Sequence, residues 1–149
     1  MRIEDEIRQN KFRSERQKLI INISFTSNWI NSHVLRFLKP FGISPEQYNV
    51  LRILRGQHPA PATVNLVRDR MINRMSNASR LVEKLRRKGL VERTVCDQDR
   101  RAVDLLITGA GLDLLKQIDS ETNKLEKLFE TVTREEAMKM NFLLDKLRS

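Results

Sequence analysis

Apolar positions recur along this chain with helical periodicity, interrupted once by two short runs of strand character. From Ser14 to Lys39 the residues Leu19, Ile23, Ile30, Val34 and Leu38 mark one stripe. Ile20, Ile21, Phe25, Trp29, Leu35 and Phe37 widen it past a single face. A helix apolar on more than one face buries more than one face, so this segment predicts a subunit interface as well as a core contact. Pro40 and Gly42 end it, and the charged stretch Met1 to Arg13 is expected to fray or to extend it. Ser44-Pro45-Glu46-Gln47 starts the next helix as a capping box with proline in the first turn. That helix carries Tyr48, Val50, Leu51, Ile53 and Leu54 and stops near Gly56.

After a proline-rich loop, His58 to Ala62, Pro61 is expected to restart a short helix with Val64, Leu66, Val67 and Met71 inward. Asn73 then caps a predicted helix from Arg74 to Lys88, which Gly89 stops. Leu90–Val95 and Ala102–Ile107 are β-branched-rich runs of strand length around a polar turn, Cys96–Arg101, and predict a hairpin. Thr108 opens a long helix with Leu112, Leu115, Ile118, Leu125, Leu128 and Val132 on one side. A second capping box, Thr133 to Glu136, opens a last helix with Ala137, Met140, Leu143, Leu144 and Leu147. The expected fold is mainly α with a small β-hairpin, a helix-turn-helix followed by a basic wing.

Charge singles out one quarter of this pattern. The 149 residues carry a formal charge of +9. Between Arg68 and Arg101 stand eleven basic and five acidic residues, whereas Gly109 to Ser149 has seven basic and eight acidic ones. A solvated face would mix the signs more evenly. A local cationic field of this kind favours a polyanion, nucleic acid before an anionic membrane.

Turning the predicted helix by about 100° per residue puts Ala78, Leu81, Val82 and Leu85 together on a core face. Ser76, Arg80, Glu83 and Arg87 lie opposite, with Asn77, Ser79 and Lys84 flanking them. Short polar residues at the N-terminal end let a helix sit deep in a major groove. Arg80 can donate twice to guanine, and Asn77 can pair with adenine. Arg86, Arg87 and Lys88 are placed for phosphates, which position a protein without naming bases. Lys84 belongs to the same surface. Glu83 is expected to pair with Arg87 or Arg80 along the helix. At the hairpin turn Asp99-Arg100-Arg101 can lay an arginine into a narrow minor groove, with Asp99 holding Arg101.

These residues resemble the multiple-antibiotic-resistance regulator (MarR) family of bacterial transcription factors. The resemblance rests on Leu81-Val82-Glu83-Lys84-Leu85, on Lys88-Gly89-Leu90-Val91-Glu92-Arg93, and on Asp99-Arg100-Arg101 leading to Leu106-Ile107-Thr108 and Gly111. Upstream it extends to Ile43 through Leu51. It implies one domain over residues 1–149, in which 14–39 and 109–149 supply dimerisation helices and 41–108 forms the winged helix-turn-helix. It further implies a homodimer on a pseudo-palindromic double-stranded operator, commonly a repressor released by a small aromatic or lipophilic molecule. Residues 57–71 depart from the family pattern, with two prolines ahead of Val64 and a polar Arg68-Asp69-Arg70.

Other chemistry is poorly represented. Phe25, Trp29, His33 and Phe37 share one helix and Tyr48 lies on the next; they are candidates for an effector pocket, or simply for core and dimer packing. Cys96, the single cysteine, makes no intramolecular disulfide and fits a reducing compartment. His33 and His58 have no partners at metal-ligand spacing, and no catalytic set or phosphate loop is visible. No cofactor is expected, and no apolar run reaches the roughly 20 residues of a membrane span. The expectation is a cytoplasmic, non-enzymatic, DNA-binding regulator. The alternative is a winged-helix module that binds nucleic acid without sequence choice or docks a protein.

Overall fold

A computed structural model describes residues 1–95 and 103–149. Its elements are α1 (Ile3–Glu6), α2 (Glu15–Leu38), α3 (Pro45–Gln57), β1 (Ala62–Thr63), α4 (Val64–Arg70), α5 (Ala78–Arg87), β2 (Val91–Val95), β3 (Val103–Ile107), α6 (Gly109–Asp119), α7 (Asn123–Glu126) and α8 (Arg134–Leu147). Helices α3 to α5 pack on a three-stranded antiparallel sheet of order β1-β3-β2, in which Val91 faces Ile107 and Val95 faces Val103. The core lies between them: Val50, Leu51, Val67, Leu85 and Leu105 are shut off from solvent, joined by Leu115 and Ile118 of α6 and Leu38 at the end of α2. The mainly helical fold with a winged helix-turn-helix is the one the pattern predicts.

Most helix ends follow the sequence signals. Ser14 caps α2, and both capping boxes, Ser44 with Gln47 and Thr133 with Glu136, are formed. Gly42 adopts φ 68°, a left-handed conformation that suits glycine, and turns the chain from α2 into α3.

Four expectations need correction. The helix predicted from Arg74 begins at Ala78, capped by Asn77 rather than Asn73. Asn73 instead folds the preceding turn: its side-chain oxygen accepts from the Met75 N–H at 3.1 Å and its carbonyl from the Ser76 N–H at 3.2 Å. The long helix from Thr108 breaks after Asp119. There the Ser120 and Thr122 hydroxyls donate to the carbonyls of Gln117 and Asp119, and such side chains compete with the backbone for its acceptors. Pro61 does not restart a helix; it precedes β1, a third strand, and Thr63 caps α4. The N-terminal segment forms a separate turn of helix, α1. It is held to α2 by the ion pair of Lys18 and Glu4 at 2.6 Å, and its Ile3 side chain is buried.

Two helices bury little of themselves. In the 24 residues of α2 only Leu38 is buried, and α8 has no buried residue. Leu19, Ile20 and Leu35 on α2 and Met138, Phe142 and Leu147 on α8 remain exposed.

Candidate nucleic-acid interface

Helix α5 is fixed at both ends and along one face. Val82 and Leu85 bury its core side against α3 and α4, with Ala78 at the entrance. At its N-terminus the Asn77 side-chain oxygen accepts the Arg80 N–H at 3.0 Å. At its C-terminus the N–H of Leu90 bonds the Leu85 carbonyl at 3.0 Å and that of Gly89 bonds the Arg86 carbonyl at 2.9 Å, with Gly89 at φ 70°. That pair of hydrogen bonds is a Schellman motif, and it turns the chain directly into β2. The Thr108 hydroxyl donates to the Gly89 carbonyl at 2.7 Å and the Thr108 N–H to the Leu90 carbonyl at 3.1 Å, so the far end of the hairpin is clamped to the end of α5. Gly111 makes this approach possible. A Cβ there would lie 2.5 Å from the Leu90 carbonyl oxygen and 2.7 Å from Ile107.

The outward face carries the residues expected of it, in an order the contacts refine. Ser79, Arg80, Lys84, Arg86, Arg87 and Lys88 are exposed or partly so, and Ser76 is half-buried. Asn77 is exposed, but the oxygen it would offer to adenine already caps the helix. Arg80 and Lys84 form no ion pair among the described residues. Glu83 is paired along the helix as expected, though with Arg86 and Arg87 and not with Arg80. Arg86 meets it through two hydrogen bonds, 2.9 and 3.0 Å, and Arg87 through one of 3.2 Å. The two Arg86 hydrogen bonds, and then the one from Arg87, hold the Glu83 carboxyl pKa down to about 2. The basic charge at the end of α5 is thus partly offset by one carboxylate. The Lys88 amine donates to the Gly42 carbonyl, tying α5 to the turn between α2 and α3.

Strands β2 and β3 bring the wing beside α5. Cys96, Asp99, Arg100 and Arg101 lie outside the described residues. Arg93 and Thr94 on β2 are exposed on the approach to it. Arg74 and Arg93 join the basic surface, although helical geometry alone does not single them out. The periodic pattern runs a helix through Arg74, yet this residue stands exposed in the turn before α5.

The aromatic candidates separate into two groups. Trp29 meets His33 at a tilt of 59° with ring centroids 4.6 Å apart and meets Phe129 edge-on at 6.4 Å. Phe37 and Tyr48 instead pack against the core, and the Tyr48 hydroxyl accepts from Arg52 at 3.0 Å. Phe25 is half-buried farther along α2. An open cleft of about 480 Å³ lies elsewhere, between the Phe41–Ile43 turn, Lys88, Leu90 and the α6 residues Asp113 and Leu114. None of the five aromatic candidates lines it. Among the described residues no cluster of three metal-binding side chains occurs, and no helix is long and apolar enough to cross a membrane.

Comparison with known proteins fits this geometry. Residues 41–102, from the turn before α3 into the wing, match the family model described as MarR family. The HTH-type transcriptional regulator MhqR of Bacillus subtilis (strain 168) is 26% identical over 120 residues, 80% of this chain and 81% of that protein. Over its helix-turn-helix and the start of the wing, the chain is similar to the MarR family. Among solved structures, a MarR transcription factor from Planctomyces limnophilus is 28% identical, covers 93% of this chain and 98% of its own, and superposes with a TM-score of 0.69. A mutant MarR from E. coli complexed with operator DNA shares the fold at 22% identity and a TM-score of 0.79, over 93% of this chain and 99% of that one. The organohalide-sensing regulator RdhR-CbdbA1625 in its 2,4-dichlorophenol-bound form shares it at 21% identity and a TM-score of 0.83, over 94% and 85%. MhqR and RdhR-CbdbA1625 are transcriptional regulators.

Proposed function

We propose that this chain is a MarR-type transcriptional regulator that acts in the cytoplasm as a homodimer, binds a pseudo-palindromic DNA operator in a sequence-specific way and represses, releasing DNA when a small aromatic or lipophilic molecule binds. The observation that carries the DNA reading is the exposed N-terminal half of α5. Ser79 and Arg80 point outward on a helix held rigidly by its caps and by Thr108. In this reading Ser76, Ser79 and Arg80 meet base edges, Asn77 supports them as a cap, and Lys84, Arg86, Arg87, Lys88 and Arg100 meet phosphates. Arg101, steadied by Asp99, enters the minor groove.

Dimerisation is supported by the exposed apolar residues on α2 and α8, which no element of the same chain covers among the described residues. Release by an effector is supported by the aromatic row Phe25, Trp29 and His33 along α2, with Phe37 and Tyr48 toward the core. The dichlorophenol bound by one structural neighbour has matching chemistry.

A binding selection over random duplexes tests the proposal. A palindrome enriched and bound by two chains is the expected result. Salt-sensitive binding with no enriched sequence would instead establish a module without sequence choice.

A further inference from the structure

The turn between α4 and α5 holds the two most exposed large apolar side chains among the described residues after Met1. Ile72 is 91% and Met75 94% exposed. Exposed apolar residues on α2 and α8 are different. They lie between 39% and 66% exposed, half-covered by their own helices, and form extended faces of the kind a second copy covers. Ile72 and Met75 stand alone among Arg70, Arg74 and Arg80, all exposed. A second copy of this chain would bring like charges together there. DNA would not.

The turn that carries them is pinned in place. The buried side chain of Met71 anchors its start. The Ile72 N–H donates to the Asn49 side chain on α3 at 2.9 Å, and Asn73 accepts from the N–H groups of Met75 and Ser76. Met75 is therefore offered from an ordered backbone, next to Ser76 and three residues ahead of the first residue of α5. Its thioether chain is flexible and polarizable, suited to covering an irregular apolar spot. The one apolar group a major groove displays is the 5-methyl of thymine.

We propose that Met75 packs against a thymine 5-methyl group beside the bases read by α5, and so selects thymine over cytosine at that position of each half-site. This specificity rests on the DNA-binding reading above. Ile72 extends the same apolar spot.

The random-duplex selection supplies the DNA, and a failure to enrich any sequence removes the functional reading itself. On the preferred duplex each dT is then replaced singly by dU, which lacks only the methyl group. Affinities are measured by fluorescence anisotropy for the wild type, Met75→Ala and Met75→Leu. One dT in each half-site should weaken wild-type binding about four-fold on replacement, the worth of one buried methyl group, and about fifteen-fold when both are replaced. Met75→Ala should bind the dT and dU duplexes equally at that position, and Met75→Leu should recover the preference. The proposal falls if wild-type binding tolerates dU everywhere or if Met75→Ala keeps the wild-type sensitivity. It also falls if Met75→Ala changes the sedimenting mass, which would make Met75 a protein contact.

Discussion

Asn77 has two roles that different substitutions separate. Its side-chain oxygen accepts the Arg80 N–H at 3.0 Å, and it stands exposed at the end of α5 that faces DNA in the proposed complex. Helix α5 has 10 residues, so its first turn is a large part of it. Loss of such a cap costs about 1 kcal/mol, and in a chain of this size that lowers Tm by about 2–4 °C. Asn77→Ala should therefore melt about that much earlier by circular dichroism and bind operator more weakly. Asn77→Asp keeps the cap and adds a negative charge where the helix dipole favours one, so its Tm should match the wild type. Its DNA affinity should still fall, by about tenfold at low salt and less as salt rises, because a carboxylate would face the phosphates. Asn77→Ser should preserve both, since serine caps without charge. An unchanged Tm in Asn77→Ala would refute the capping argument. A loss of operator preference in Asn77→Ser as large as in Asn77→Ala would show that the amide reads a base.

Glu83→Gln frees Arg86 and Arg87 from their shared carboxylate, so affinity for any duplex should rise and the slope against log salt should steepen by up to about one unit. An unchanged slope would mean that neither arginine reaches phosphate. The Glu83 and Glu4 carboxyls both sit near pKa 2 in the folded chain, Glu4 chiefly through its hydrogen bond from Lys18. Unfolding raises those values, so the stability they contribute is complete above their ordinary value of 4.5 and is lost as pH falls through about 2. Melting followed from pH 5 to about pH 2 should show that loss, reduced in Glu83→Gln. Gly111→Ala drives a Cβ against a backbone oxygen at the base of the hairpin and should cost about 2 kcal/mol, read as a Tm several degrees lower. In the proposed homodimer, Phe142→Asp on α8 should shift the sedimenting species from dimer to monomer at micromolar concentration. A dimer unaffected by it would remove α8 from the interface.

Where sequence signals are local and strong, they agree with the structure. Ser14, Ser44 with Gln47, Gly89, and Thr133 with Glu136 each mark a helix end that forms. Strands β2 and β3 fall within one residue of the runs Leu90–Val95 and Ala102–Ile107. The start of α5 is hidden in the sequence because Met71, Met75, Ala78, Val82 and Leu85 keep helical spacing, so the pattern continues through a turn in which Met75 is fully outside. Asn73 and Asn77 are equally good caps by residue type, and only the turn's own hydrogen bonds decide between them. Strand β1 has two residues, too few for any period. The break after Asp119 lies inside an apolar repeat that runs on to Leu125 and Leu128, where hydroxyl side chains override the repeat. At the candidate site the core face of α5 and the exposure of Arg80 follow from helical geometry alone. The tie from Lys88 to Gly42 spans 46 residues and has no sequence signature.

In the proposed complex, Arg80 is the main base-reading residue of α5. Random-duplex selection run in parallel with the wild type and with Arg80→Ala tests that role. The wild type should enrich a two-fold symmetric site with half-site centres about 10 base pairs apart, and Arg80→Ala should lose a guanine from each half while still binding DNA. Enrichment of the same site, guanine included, by Arg80→Ala would contradict the claim that the N-terminal half of α5 reads bases.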